Sequence, residues 1–196
     1  MSTEGRPLRA DARRNRERIL RAARDAFATE GIAIPLDEIA RRAGVGPGTV
    51  HRHFPTKEAL FEAVVREHLE RLTHEARGAL ADTAAGPAFF AFLTKMTAEA
   101  DAKQDLTEAI TGAGGRMSAE TEGLAADLRE LFDALLTRAQ AAGAVRKDVD
   151  AADVQAVVVG ALVAGRRRGE RDRPGRLADM VFDCLLPRGA APEEPG

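Results

Sequence analysis

Apolar residues recur at intervals of three and four along nearly the whole chain, and no stretch alternates with period two or carries hairpin turn signals. The pattern predicts an all-α protein. A first amphipathic run covers residues 11 to 30, with Ile19, Ala23, Ala26 and Phe27 on one side. Asp11 stands as its N-cap, and Gly31 sits at the left-handed position that ends a helix. Two short runs follow. Leu36, Ile39, Ala40 and Ala43 share one face ahead of Gly44, and Pro47 opens a second run in which Val45 and Val50 reach the same small core. This is the pattern of a helix-turn-helix. Thr56 then caps a longer helix, with Leu60, Val64, Leu69 and Leu72 inward, which bridges two domains and runs to about Ala81.

Ala84-Ala85-Gly86-Pro87 predicts a break. Beyond it come Phe89, Phe90, Phe92, Leu93 and Met96, then a weaker segment around Leu106 and Ile110 that Gly112, Gly114 and Gly115 interrupt as a flexible joint. Ser118 caps a long helix with Leu124, Leu128, Leu131, Phe132 and Leu135 at spacings of three and four, closed by Gly143. Two more helices are expected, over 151 to 165 and 174 to 186, joined by the basic loop Arg166 to Arg173. The predicted organisation is a flexible basic arm over 1–12, a helix-turn-helix domain over 13–58, a helical domain over 59–188 and a disordered tail over 189–196.

Charge sharpens this division. Residues 1–77 hold 15 Lys and Arg against 12 Asp and Glu, whereas the remainder holds 14 against 19. The basic end and the acidic end do different things, and the exposed hydroxyl, imidazole and guanidinium groups of the second short helix suit the major groove of double-stranded DNA. Thr49, His51, Arg52 and His53 project from the second short helix, where an Arg guanidinium at position 52 can donate two bonds to guanine O6 and N7. Gly48 allows close approach of the backbone to a phosphate, and His53 either meets phosphate or bonds within the small domain. The arginines at 6, 9, 13, 14, 16 and 18 are either a solvated run or a flexible extension reaching phosphate or the adjacent minor groove.

Other chemistries find little support. The histidines at 51 and 53, and at 68 and 74, do not share helix faces, so no metal site is expected. Ser2 and Ser118 are the only serines and neither lies in a nucleophile-elbow setting, so no catalytic residue and no cofactor is expected. Cys184 is the only cysteine; its apolar surroundings predict a buried thiol, and a reducing, cytoplasmic setting. The charged N-terminus lacks a signal-peptide core, and no uncharged run is long enough to span a bilayer.

The stretch from Ile39 to Leu60, IARRAG-V-x-x-GT-V-x-x-HF-P-T-K-EAL, resembles the N-terminal domain of the TetR/AcrR family of bacterial transcriptional repressors. The match extends upstream through Arg18 to Ala23 and Phe27 to Gly31, and covers roughly residues 13 to 72. The chain departs from the family pattern at His51, where Tyr is usual, and at Ile34-Pro35, where Thr is common. The resemblance implies that Lys57 contacts phosphate and that the C-terminal helical domain binds ligand and dimerises. By itself the stripe Phe89, Phe92, Leu93, Met96, Leu128 and Phe132 reads as core; the resemblance makes it a candidate lining for a small, largely apolar effector. On the last two helices, Val157, Gly160, Ala161 and Ala164, with Leu177, Met180, Val181 and Cys184, read either as intrachain core or, as the resemblance implies, as a homodimer interface. The function expected is a homodimeric repressor, not an enzyme, that binds a palindromic operator and releases it on binding an effector; the alternatives are a DNA-binding regulator without a ligand, and an enzyme or ligand carrier with a DNA-docking module.

Overall fold

Capping residues determine where the helices begin and end. The computed structural model describes residues 5–102, 117–168 and 176–187, with side chains over 10–97, 117–161 and 180–187. Those residues hold eight helices and no strand: α1 (Gly5–Glu30), α2 (Leu36–Ala43), α3 (Pro47–His53), α4 (Lys57–Ala81), α5 (Ala85–Ala102), α6 (Ala119–Ala141), α7 (Ala151–Arg168) and α8 (Arg176–Leu185). The Thr56 hydroxyl accepts the Ala59 N–H at 3.1 Å to start α4, and the Ser118 hydroxyl accepts the Thr121 N–H at 3.3 Å to start α6. At the head of α7, Asp150 accepts the N–H of Asp153 at 2.9 Å and Asp153 accepts that of Asp150 at 3.1 Å. Gly31 and Gly143, with φ of 79° and 72°, follow α1 and α6.

Three boundaries differ from the sequence pattern. α1 starts at Gly5, so Asp11 lies inside the helix and pairs with Arg14 instead of capping, and residues 5–12 of the expected arm are helical. α5 starts at Ala85, which takes Gly86 and Pro87 into its first turn, where a missing proline N–H costs no hydrogen bond. α7 continues to Arg168, so the first three residues of the expected basic loop are helical. Leu106, Ile110, the glycines at 112, 114 and 115, residues 169–173 and the tail from Gly189 lie outside the described residues.

The chain divides into two compact units, Met1–Glu70 with Ala102–Gly123, and Arg71–Asp101 with Leu124–Gly196. In the first, Ile19, Ala23, Ala26 and Phe27 of α1, Ile39 of α2, Val50 of α3 and Leu60 of α4 are fully buried. Phe27 and Phe61 meet edge to face at 5.6 Å. Each large side chain buried here contributes about 1.5–3 kcal/mol. In the second unit Leu72 and Ala76 of α4 join Phe89, Phe92 and Leu93 of α5, Leu135 and Leu136 of α6, Val154 of α7, and Val181 and Leu185 of α8. Arg138 of α6 donates to the carbonyls of Leu80 and Asp82, holding the short turn between α4 and α5. Gly86 is necessary beside that turn, because a Cβ there would stand 2.5 Å from the Ala144 Cβ. No helix among the described residues is long and apolar enough to cross a membrane.

The start of α6 uses a carboxylate from another helix. Its third residue is Thr121, not the glutamate of a capping box, and Glu62 of α4 takes that role: Oε1 accepts the Ser118 N–H at 2.9 Å and the buried Thr121 hydroxyl at 3.0 Å. Hydrogen bonds from Ser118 and then Thr121 hold the Glu62 carboxyl below its ordinary value. Replacing Glu62 by Ala therefore removes a charged acceptor shared by two donors and should lower the unfolding free energy by about 1–3 kcal/mol in urea titrations. Because the folded-state pKa is the depressed one, this contribution is complete above the ordinary carboxylate value of 4.5 and fades as pH falls through the folded value. The stability gap between wild type and Glu62→Ala should therefore narrow in acid; a gap that widened there would contradict the assignment.

Candidate nucleic-acid interface

The helix-turn-helix is built on one left-handed residue. Gly44 has φ 63° and ψ 39°; its N–H donates to Arg41 O at 3.1 Å while the Val45 N–H donates to Ala40 O at 3.0 Å. These two bonds make a Schellman end to α2, which reverses the chain within three residues. Gly46, in extended conformation, then precedes Pro47, whose fixed φ begins α3, and Gly46 O accepts the N–H groups of Thr49 and Val50.

Only two side chains pin α3 to the core. Val50 is fully buried, and Phe54, just past the helix, is buried and carries the Arg16 guanidinium 5.3 Å above its ring. Gly48, His51 and Arg52, at spacings of three and four, share the outward face and are exposed, while Thr49 and His53 are half-buried beside it. Lys57 opens α4, and its Nζ donates to Ala33 O at 3.2 Å, which ties the α1–α2 loop and leaves two of three ammonium protons for another acceptor.

Charges behind α3 are neutralised locally. Glu38 accepts from Arg41 at 2.6 and 2.8 Å and from Arg42 at 2.9 Å, and Arg42 also reaches Glu30 at 2.5 Å. Hydrogen bonds from Arg41 and Arg42 lower the Glu38 pKa to about 2. The two arginines of α2 thus brace the motif. Arg18 of α1 donates to Gly44 O at 2.9 Å, covering a carbonyl at the turn. Sequence reading missed this positioning role for Arg18, which rests on a contact 26 residues apart; the i+3 and i+4 spacing from Glu38 to Arg41 and Arg42 was the readable signal.

The other expected site residues divide. Phe89, Phe92 and Leu93 are deep in the second core, with Met96, Leu128 and Phe132 half-buried against it; Phe132 lies 5.9 Å from Phe89 and 6.5 Å from Phe92 between ring centres. Val157 and Met180 are 43% and 51% exposed, Gly160 is exposed and Ala161 half-buried, whereas Val181 is 4% exposed and belongs to the intrachain core. Cys184 is exposed, not buried as its apolar neighbours suggested. The side chains of Ala164 and Leu177 lie outside the described residues. Among the described residues no three His, Cys, Asp or Glu side chains gather as a metal site would need.

Comparison with known proteins bears on this arrangement directly. Residues 19–64 match the model of bacterial regulatory proteins of the tetR family, and residues 84–187 match the C-terminal domain of SbtR-like transcriptional regulators. The TetR transcription regulatory protein of Mycobacterium vanbaalenii is 42% identical over 92% of this chain and 99% of its own, with a TM-score of 0.68. A TetR transcriptional regulator of Streptomyces coelicolor is 35% identical over 89% of this chain and 99% of its own, also at 0.68. The curated relative UidR of Escherichia coli is 35% identical over 65 residues, a span of only 33% of either chain. A glycine-turned helix-turn-helix followed by an all-helical second unit, matched over nearly the full length of two TetR regulators, places the chain in the TetR family of DNA-binding bacterial transcriptional regulators.

Proposed function

We propose that the chain is a homodimeric repressor that grips a palindromic operator with α3 and lets go when a small, largely apolar effector occupies its C-terminal unit. The observation that carries the reading is the outward face of α3, where Gly48, His51 and Arg52 stand exposed on a helix anchored only through Val50 and Phe54. Arg52 reads a base, His51 and Thr49 reach base edges or phosphate, His53 takes a phosphate at the margin, and the Gly48 backbone approaches another. Lys57 adds a phosphate contact with its two remaining protons, helped by the N-terminal dipole of α4. Two copies of α3 then sit about 34–36 Å apart, one turn of DNA. Exposed Val157 on α7 and Met180 on α8 support the second copy, since large apolar groups in water favour burial. The aromatic group of Phe89, Phe92 and Phe132 supports an apolar effector.

Sites selected by the purified protein from random duplexes test the DNA reading, and two variants separate the roles. Arg52→Ala should cost about 1–3 kcal/mol on the selected site and relax preference at one position of each half-site. Lys57→Ala should weaken all duplexes alike and flatten the salt dependence by about one unit. The reverse result would exchange the assignments.

Oligomeric state is tested by a charge at neighbouring positions that differ in burial. Met180→Glu should give folded monomers in sedimentation with weakened operator binding, while Val181→Glu should unfold the chain, because its carboxylate has no route out of the core. A Met180→Glu protein that sediments as wild type contradicts the interface.

Effector action obeys linkage. A ligand that weakens operator binding by some factor must itself bind more weakly by that factor in the presence of operator, with couplings typically about 1–3 kcal/mol. Paired titrations with any compound that shifts the melting temperature check this; unequal factors exclude a simple release mechanism.

A further inference from the structure

Alongside the helix-turn-helix lies an open cleft of about 360 Å³ that the family contacts described above do not use. It is lined by Arg18, Arg21, Ala22 and Asp25 of α1, by Arg42 and Ala43 of α2, and by Gly44. The charges do not cancel. Arg42 is held by Glu30 and Glu38, and Arg18 gives its hydrogen bond to a neutral carbonyl, so its charge remains. Arg21 is exposed and forms no ion pair with any described carboxylate, not even Asp25 one turn away. Two guanidinium charges therefore face one carboxylate, an excess of about one positive charge. The cleft also has a definite address. Gly44 stands three residues before Pro47, so this part of the lining lies within about 11 Å of the start of α3 by chain length alone. A duplex whose major groove admits α3 carries a sugar-phosphate strand along each side of that groove.

We infer that this cleft takes one phosphodiester of the operator strand beside α3, with Arg21 as the side chain that closes on it and Arg18 holding both the turn and the local positive field. The inference rests on the proposed docking of α3 in the major groove. It makes Arg21 a backbone contact in addition to Lys57, on the opposite flank of the motif in sequence. Its effect is on affinity and salt dependence, with no effect on base preference.

The test uses full-length protein and the duplex it selects, with affinities measured between 50 and 200 mM NaCl. Arg21→Gln should flatten the slope of log affinity against log salt by about 0.9, the value for one phosphate contact, and leave the selected sequence unchanged. Arg21→Lys, which keeps the charge, should restore most of the slope. Arg21 is exposed, so all three proteins should melt alike, and that equality separates a lost contact from a lost fold. A wild-type slope in Arg21→Gln overturns the cleft contact while leaving the reading of α3 intact. A wild type that shows no salt-dependent duplex binding overturns both. Inorganic phosphate that raises the melting temperature of wild type but not of Arg21→Gln, at constant ionic strength and with an unchanged DNA slope, would assign the cleft to a free anion instead.

Discussion

A seven-residue helix does not hold its shape in water, because isolated helices shorter than about 12–15 residues are marginal even with the best sequences. The outward face of α3 therefore has a fixed direction only if its surroundings impose one. Gly44 does so from one end: the left-handed residue lets α2 stop and the chain reverse, and the Arg18 guanidinium bonds its carbonyl. Val50 and Phe54 do so from the other side by their burial, with α3 packed on α1 and α2 and Arg16 of α1 resting on the Phe54 ring. Everything that faces outward is available because these few inward groups suffice.

The same economy appears where α4 and α6 begin. Lys57 serves the loop ahead of α2 through Ala33 O, and Glu62, five residues further along α4, supplies the carboxylate that caps α6. One helix thus carries a cation at its first residue and an anion in its second turn, each bonded to a different neighbour. α4 also contributes to both compact units, Leu60 and Val64 to the first core and Leu72 and Ala76 to the second.

Much of this was legible in local chemistry. Gly31, Gly44, Pro47, Thr56, Ser118 and Gly143 each occupy the cap or turn position their residue type suggests, because those preferences depend on the nearest few residues. Long-range partners were not legible: nothing near Glu62 in sequence points to Ser118, and nothing near Arg18 points to Gly44. The start of α1 was misplaced because Asp11 is a good N-cap residue that here lies within an already formed helix. The exposure of Cys184 was missed for a different reason. The run Met180 to Leu186 is apolar on nearly every face, so periodicity cannot choose which side turns inward; Val181 and Leu185 take the core and leave Met180 and Cys184 outside. For His51 and Arg52 the pattern was decisive, since Val50 alone among 48–53 is apolar and it alone is fully buried, whereas Thr49 and His53, expected to project with them, are half-buried.

The central claim is that α3 presents its exposed face to base edges in the major groove of two half-sites. Methylation of guanine at N7 by dimethyl sulfate reports on that groove directly, because N7 is an acceptor displayed there and not in the minor groove. With the selected duplex and saturating protein, guanines should be protected in two clusters about 10 base pairs apart from centre to centre, or at a multiple of that spacing. Unchanged N7 reactivity throughout a site that the protein demonstrably occupies would contradict the account.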